Sequence, residues 1–479
     1  YSMKQLSDIG GRYLAGEWSQ LGKTFEVRSP ATGQVIADVA DCGVVEAEAA
    51  ATVAHQAFAS WRGTTAFERS AILARWAALI VEHKDELAAV MSAEMGKPIK
   101  EARGEVVYAA GFVTWYAEEA KRVHGETFPS QAGSKRLFAL RQPVGPVFAV
   151  TPWNFPIAMV TRKAAPALAA GCTFILKPAE QSPLSALMTT DLWLEAGGPA
   201  GTLQILPASD PVPLSDALMA DERIRKVTFT GSTEVGKILY RKSADTVKRI
   251  SLELGGHAPL IVCDDADLEI AVREAIACKY RNAGQTCVCT NRIYVQRGIA
   301  AAFTEAFTAA SRQLHVGDPS SEDTDIGPLV DAQGLQKVKR HLQDAVAKGA
   351  SIVTGGKAIE GLFFEPTVIT NVTAEMLMMH EETFGPVAPI IEFDTVDEAV
   401  LLANRGQFGL AAYLFTNDVT RAIKVAEALE YGIIGLNDGV PSTPQAPFGG
   451  IKQSGIGREG GHWGIDEYLE VKFVSLRLK

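Results

Sequence analysis

No run of the chain is apolar enough, for long enough, to cross a bilayer. The best stretch, Ile157 to Leu176, is broken by Arg162, Lys163 and Pro166, where a span needs about 20 mostly apolar residues. No basic stretch followed by an apolar core opens the sequence, so no secretory signal is expected. Cysteine is scarce. The six are Cys42, Cys172, Cys263, Cys278, Cys287 and Cys289, and only the last two are close together. That scatter excludes a disulfide scaffold, and no Cys/His cluster has zinc spacing, so no metal is expected. An excess of basic charge is also missing. The 46 Lys and Arg against 56 Asp and Glu give a formal net charge of −10, which argues against a nucleic-acid partner or an acidic membrane surface. There is no internal repeat, low-complexity segment or long flexible linker. The expectation is a reduced, cytoplasmic protein.

What is present is ordinary globular material, 47% apolar and 21% charged over 479 residues, enough for two or three domains. Val45, Ala49, Val53 and Ala57 recur at helical spacing. Thr65 with Glu68 reads as a capping box opening a second helix, whose apolar side includes Ile72, Trp76, Leu79 and Ile80. Gly96-Lys97-Pro98 interrupts, and a further helical stretch runs to about Val123. From residue 145 short apolar runs at 147–150, 174–176, 203–206 and 227–229 alternate with helical patterns at 159–170, 183–196 and 213–220. A second alternation places strands at 259–262, 291–295, 351–354, 411–416 and 433–437, with helices at 267–279, 299–313, 332–348 and 418–430. Such alternation implies parallel sheets covered by helices, with ligands at the carboxyl ends of the strands.

Four segments carry candidate chemistry. In Asn282-Ala-Gly-Gln-Thr-Cys287-Val-Cys289, Gly284 and polar neighbours suit a tightly turned loop presenting a thiolate to a carbonyl carbon. Glu253 sits between Leu252 and Leu254 before Gly255-Gly256, at a strand end, which favours a partly buried carboxylate with a raised pKa, fit to activate water. Asn154, in Thr151-Pro152-Trp153-Asn154-Phe155-Pro156, can donate amide N–H bonds to a developing oxyanion. Phe229-Thr-Gly231-Ser232 follows a strand and opens a helix, which suits a pyrophosphate, although it is neither G-x-G-x-x-G nor a P-loop. Lys177-Pro178-Ala179-Glu180 and Glu382-Thr383-Phe384-Gly385-Pro386 are weak signals singly.

In this order and spacing the segments resemble the aldehyde dehydrogenase superfamily from about residue 10 to the end, and most nearly the succinate-semialdehyde dehydrogenases, with glutarate-semialdehyde enzymes nearby. Phe448-Gly-Gly, Lys452 and Ser454 fit the same pattern. The resemblance implies an α/β fold. A Rossmann-like parallel-sheet NAD-binding domain is expected from 1–124 and 144–253, and an α/β catalytic domain from 254–446. A small β oligomerisation arm and tail would be 125–143 and 447–479, giving a homodimer or homotetramer. It further implies Cys287 as nucleophile, Asn154 and the Cys287 amide as oxyanion hole, and Glu253 as the base. Lys177 and Glu180 would hold the adenosine ribose. Gly231 and Ser232 would meet the pyrophosphate. Glu382 and Phe384 would meet the nicotinamide ribose, and Trp153 and Leu254 would line the cofactor site. Glu180 indicates NAD, with NADP as the alternative. Arg162, Arg281 and Ser442 are expected on a distal substrate carboxylate; for Arg162 a structural ion pair on a helix surface is the alternative. His257 stands where many relatives have Asn and leaves 2-oxoglutarate semialdehyde, or a broader aldehyde range, as the other reading. Cys289 is either a redox partner of Cys287 or a plain buried thiol.

Overall fold

The computed structural model describes residues 11–479. The domain boundaries read from the sequence therefore lie partly, at residues 1–10, outside the described residues. The apolar runs become two large sheets. The first has eight strands. Its middle five, Arg249–Glu253, Lys226–Thr230, Val147–Val150, Phe174–Lys177 and Leu203–Ile205, are parallel neighbours in that order. Arg12–Ala15 and Glu17–Gln20 extend one edge antiparallel. At the other edge Gly455–Ile456 pairs antiparallel with Arg249–Glu253. The glycine lets the backbone pass against this strand: a Cβ at Gly455 would stand 2.1 Å from the Leu252 carbonyl oxygen.

The second sheet has seven strands, in the order Ser351–Thr354, Thr367–Thr370, Val387–Phe393, Thr290–Gln296, Ala258–Val262, Ala411–Phe415 and Ile433–Leu436. All its pairings are parallel except the first. A third, antiparallel sheet joins Leu469–Arg477, Lys135–Pro143 and Glu126–Phe128. Strand-forming residues on both faces of the parallel strands are buried, as crossover helices require. The capping box at Thr65 forms: its hydroxyl accepts from the Glu68 amide at 3.2 Å, and the Glu68 carboxylate accepts from the Thr65 amide at 2.7 Å.

The site sits where these two sheets face one another. The first sheet supplies loops from strand carboxyl ends: 151–157 after Val150, Lys177, Gly231-Ser232 after Thr230, and Glu253 itself. The second supplies loops that enter strands. Cys287 precedes Thr290–Gln296, and Glu382 and Phe384 precede Val387–Phe393. The rule that ligands collect at strand carboxyl ends therefore describes half of the site.

Candidate active site

Cys287 is half-buried and forms the wall common to two cavities. Its loop is tightly turned. Asn282, Ala283 and Gly284 all lie in the left-handed region, with φ of 51°, 57° and 75°, a conformation that costs about 1–2 kcal/mol for a residue with a Cβ. Packing enforces it. A Cβ on Gly284 would stand 2.2 Å from the Gly385 carbonyl oxygen, and one on Gly256 would stand 2.4 Å from the carbonyl oxygen of Cys287. The Cys287 loop, the 382–386 loop and the segment after Glu253 thus meet with no room between their backbones. Gly284→Ala is expected to lower kcat by about 10²-fold, the cost of displacing a reacting group by about 1 Å, and to lower the melting temperature. Steady-state kinetics and thermal denaturation check both.

Asn154 is 3% exposed. Its side-chain amide donates to the Gln285 carbonyl at 3.1 Å, and its Oδ1 makes no hydrogen bond among the described residues. Its backbone carbonyl accepts from Asn282 Nδ2 at 3.1 Å and Lys97 Nζ at 2.8 Å. Lys97 is itself paired with buried Glu105, whose other oxygen accepts the amides of Ile157 and Ala158 at 3.0 and 3.1 Å. This buried network fixes the Asn154 loop against the nucleophile loop. The backbone N–H of Cys287 forms no hydrogen bond among the described residues, which leaves it and the second Asn154 N–H free for an oxyanion.

Glu253 is 4% exposed, and its Oε2 has no hydrogen-bond partner among the described residues. A Cβ on Gly449 would stand 2.8 Å from Glu253 Oε1, so the Phe448-Gly-Gly segment leaves space beside the carboxylate. Burial first, and then neighbouring Glu459, hold this carboxyl well above the usual range; Arg162, Lys163 and Arg458 act the other way. Glu459 is buried and ion-paired with both Arg162 and Lys163. Burial also pushes the Cys287 thiol up to about 12, against the pull of Arg162 and Arg281.

The larger cavity, about 580 Å³, is walled by Trp153, Gly231, Ser232, Leu254, Glu382 and Phe384 together with Asn154 and Cys287. Trp153 and Phe384 meet edge-to-face at 5.6 Å. Lys177 and Glu180 pair with each other at 2.9 Å; neither is on the wall, which Gln181 forms at this point. The cavity suits a dinucleotide. The buried hydroxyl of Thr230 faces it without a partner among the described residues. Ser232 opens the helix Thr233–Ser243, accepting from the Val235 amide at 3.3 Å, so further helix N-terminal amides face an anion. Glu382 accepts from the Gly256 amide at 3.2 Å, and burial raises its carboxyl to about 7.

The smaller cavity is a narrow chamber on the other side of Cys287. Arg162, Arg281, Ser442, Tyr108, Phe155 and Phe448 are on its wall, and no Asp or Glu is. Arg162 is paired as the alternative reading expected, but with Glu459 in the interior, not on a surface, and its Nη2 keeps no hydrogen bond among the described residues. Arg281 lies over the Phe155 ring at 5.2 Å and forms no ion pair among the described residues. Ser442 is held by the Tyr108 hydroxyl. His257 is not in this chamber. Its ring lines a separate cavity and bonds the Met378 carbonyl at 2.9 Å, so it cannot read a substrate beside Cys287. Cys289 is 1% exposed, its thiol donating to the carbonyls of Lys279 and Thr290 at 3.3 and 3.4 Å. A bond from it to Cys287 requires the loop to rearrange. Lys97, Glu105, Lys163 and Glu459 were not found from the sequence, because nothing in a pattern of spacing links them to the motifs they support.

A cleft that suits a dinucleotide and an arginine-lined chamber meet at one thiol on this two-sheet scaffold, the arrangement of a nicotinamide-dependent dehydrogenase. The chain belongs to the aldehyde dehydrogenase family, which residues 18–474 match. It is 53% identical over 470 residues to the mitochondrial succinate-semialdehyde dehydrogenase of Arabidopsis thaliana, covering 98% of this chain and 88% of that one. It is 50% identical to the glutarate-semialdehyde dehydrogenase of Pseudomonas putida, covering 97% of each. A crystal structure of an aldehyde dehydrogenase from Brucella melitensis biovar abortus 2308 superposes with a TM-score of 0.98 at 51% identity, covering 100% of both chains.

Proposed function

We propose that this aldehyde dehydrogenase oxidises succinic semialdehyde, or a similar ω-carboxy aldehyde, to the carboxylate through a thioester on Cys287, with NAD as its preferred cofactor. The observation that carries the substrate is the chamber: two guanidinium groups and a serine hydroxyl, with no carboxylate on the wall, opening onto the nucleophile. Guanidinium donors suit a carboxylate because they bond both its oxygens. In a chain of net charge −10, that attraction has to be local. The names of the relatives from Arabidopsis and Pseudomonas support the same substrate class. The position of His257 outside the chamber removes the mark that favoured 2-oxoglutarate semialdehyde.

In the proposed sequence, Cys287 releases its proton to solvent water and its sulfur bonds to the aldehyde carbon, whose C=O π electron pair moves onto the oxygen. Asn154 and the Cys287 amide take up the charge developing on oxygen. Trp153, Gly231, Ser232, Leu254, Glu382 and Phe384 would hold NAD on the cavity wall, Lys177 and Glu180 beside that wall would meet the adenosine ribose, and the cofactor would supply the hydride acceptor. Cys287 then carries the acyl group as a thioester. Glu253 accepts a proton from water as its oxygen attacks that carbonyl, and the thiol leaves. Glu180 supports NAD because a carboxylate there accepts from a ribose hydroxyl and repels a 2′-phosphate. Kinetics with both cofactors check this: higher kcat/KM with NADP contradicts it.

A panel of aldehydes of differing length and charge tests the substrate class. Arg281→Ala should raise the KM for succinic semialdehyde roughly 10–100-fold, the equivalent of the about 1.5–3 kcal/mol that hydrogen bonds to charged groups contribute. The KM for an uncharged aldehyde should barely move. Equal effects on both would remove the assignment.

The arm supports a homodimer or homotetramer. Val471, Phe473, Leu476, Phe128 and Leu140 are exposed apolar residues of its sheet, and the strand Leu469–Arg477 is paired on one side only among the described residues, leaving an edge that ordinarily pairs. Six free thiols support a reducing compartment such as the cytoplasm.

A further inference from the structure

A separate cavity of about 440 Å³ lies in the catalytic half, beside the segment that follows Glu253. Its deepest charged group is Arg292, 3% exposed. Among the described residues no carboxylate pairs with Arg292. Its bonds run to the His257 carbonyl at 3.2 and 2.8 Å, to the Leu402 and Ala403 carbonyls at 3.3 and 3.2 Å, and to the Tyr431 hydroxyl at 2.9 Å. Every partner is neutral. Arg292 also hydrogen-bonds Tyr294, a further neutral partner. A buried cation is ordinarily balanced by an anion, because desolvating an unpaired charge is strongly unfavourable.

The rest of the wall also suits an anion. Arg405 lies at the exposed side of the cavity and forms no ion pair among the described residues, and no Asp or Glu lines the cavity. Flat surfaces complete it. The Phe408 and His257 rings lie 6.2 Å apart and tilted by 32°, and buried Tyr294 is on the wall. The space greatly exceeds a bare inorganic ion. We infer that this cavity binds a small organic anion, a carboxylate or phosphate carried on a flat ring, between Arg292 and Arg405. The site is distinct from the cofactor cleft and the aldehyde chamber. It touches the catalytic segment, because the His257 carbonyl that holds Arg292 twice follows Gly256, which packs on Cys287.

Calorimetric titration of the full chain with benzoate, phenyl phosphate and inorganic phosphate tests this. Saturating NAD and an Arg281→Ala background block or weaken the other two anion sites. The expected result is saturable binding of benzoate or phenyl phosphate, weakened about tenfold or more by adding Arg405→Gln. The same Arg405→Gln change alone should leave the steady-state kinetics of aldehyde oxidation unchanged. Tighter benzoate assigns a carboxylate, and tighter phenyl phosphate assigns a phosphate. Four results would each overturn the inference: no saturable binding of either ring compound, binding abolished by NAD or by Arg281→Ala, indifference to Arg405→Gln, or inorganic phosphate binding as tightly as either.

Discussion

Glu253→Gln is expected to release a burst of reduced cofactor and then turn over about 10²–10⁴-fold more slowly than the parent protein, the usual contribution of a general base. The burst survives because the first half-reaction needs Cys287 and the oxyanion donors, none of which depends on the carboxylate for its position. Asn154 is held by Gln285, Asn282 and Lys97, and the nucleophile loop by its glycine contacts. The second half-reaction fails because glutamine cannot take a proton from water. The pH profile supplies an independent check. Burial and Glu459 hold the Glu253 carboxyl well above the ordinary range. The base form is therefore depleted as pH falls toward that raised value, well before it reaches the usual carboxylate range. Thioester hydrolysis in the parent should rise with pH through that limb, and in Glu253→Gln the limb should be gone. Stopped-flow measurement of cofactor reduction followed by steady-state assay reads both phases.

Cys287→Ala should abolish the burst as well as turnover, a loss on the order of 10⁴–10⁶-fold, as for other enzymes stripped of their nucleophile. The neighbouring thiol cannot substitute. Cys289 is buried, and its sulfur is turned to the carbonyls of Lys279 and Thr290. The two variants therefore differ in kind: one should stop after the first chemical event, the other before it. Rapid-mixing absorbance traces at equal enzyme concentration separate them, and a full burst from Cys287→Ala would contradict the assignment.

The placement of this site's residues was legible in the sequence where one short segment carries both a candidate reactive residue and the backbone that presents it. Gly284 before Cys287 and Gly255-Gly256 after Glu253 announce close backbone approach, and the structure places those glycines against neighbouring carbonyls and side chains. Parallel strands such as Val147–Val150 were visible because buried strands read as short apolar runs. The strand Val387–Phe393 was not. It contains Pro389, which lies opposite Ile369 within the sheet, and proline argues against an interior strand. The helix Ala158–Ala170 is buried at every position, so it has no polar face to show where its charged residues point. For Arg162 the sequence consequently left a substrate contact and a surface ion pair both open, and Glu459, the shared partner of Arg162 and Lys163, lies in a distant glycine-rich segment with no pattern of its own. The fold brings them to Glu253 through pairing of the Gly455–Ile456 segment with the strand Arg249–Glu253. Such long-range electrostatics belong to topology, which local spacing does not encode.

The most direct test is peptide mass spectrometry of the Glu253→Gln protein quenched during its burst with succinic semialdehyde and NAD. An acyl group on the peptide containing Cys287, present only when aldehyde and cofactor are both supplied, is the predicted result. A full burst with that cysteine unmodified, or with the acyl group on another residue, would contradict the account.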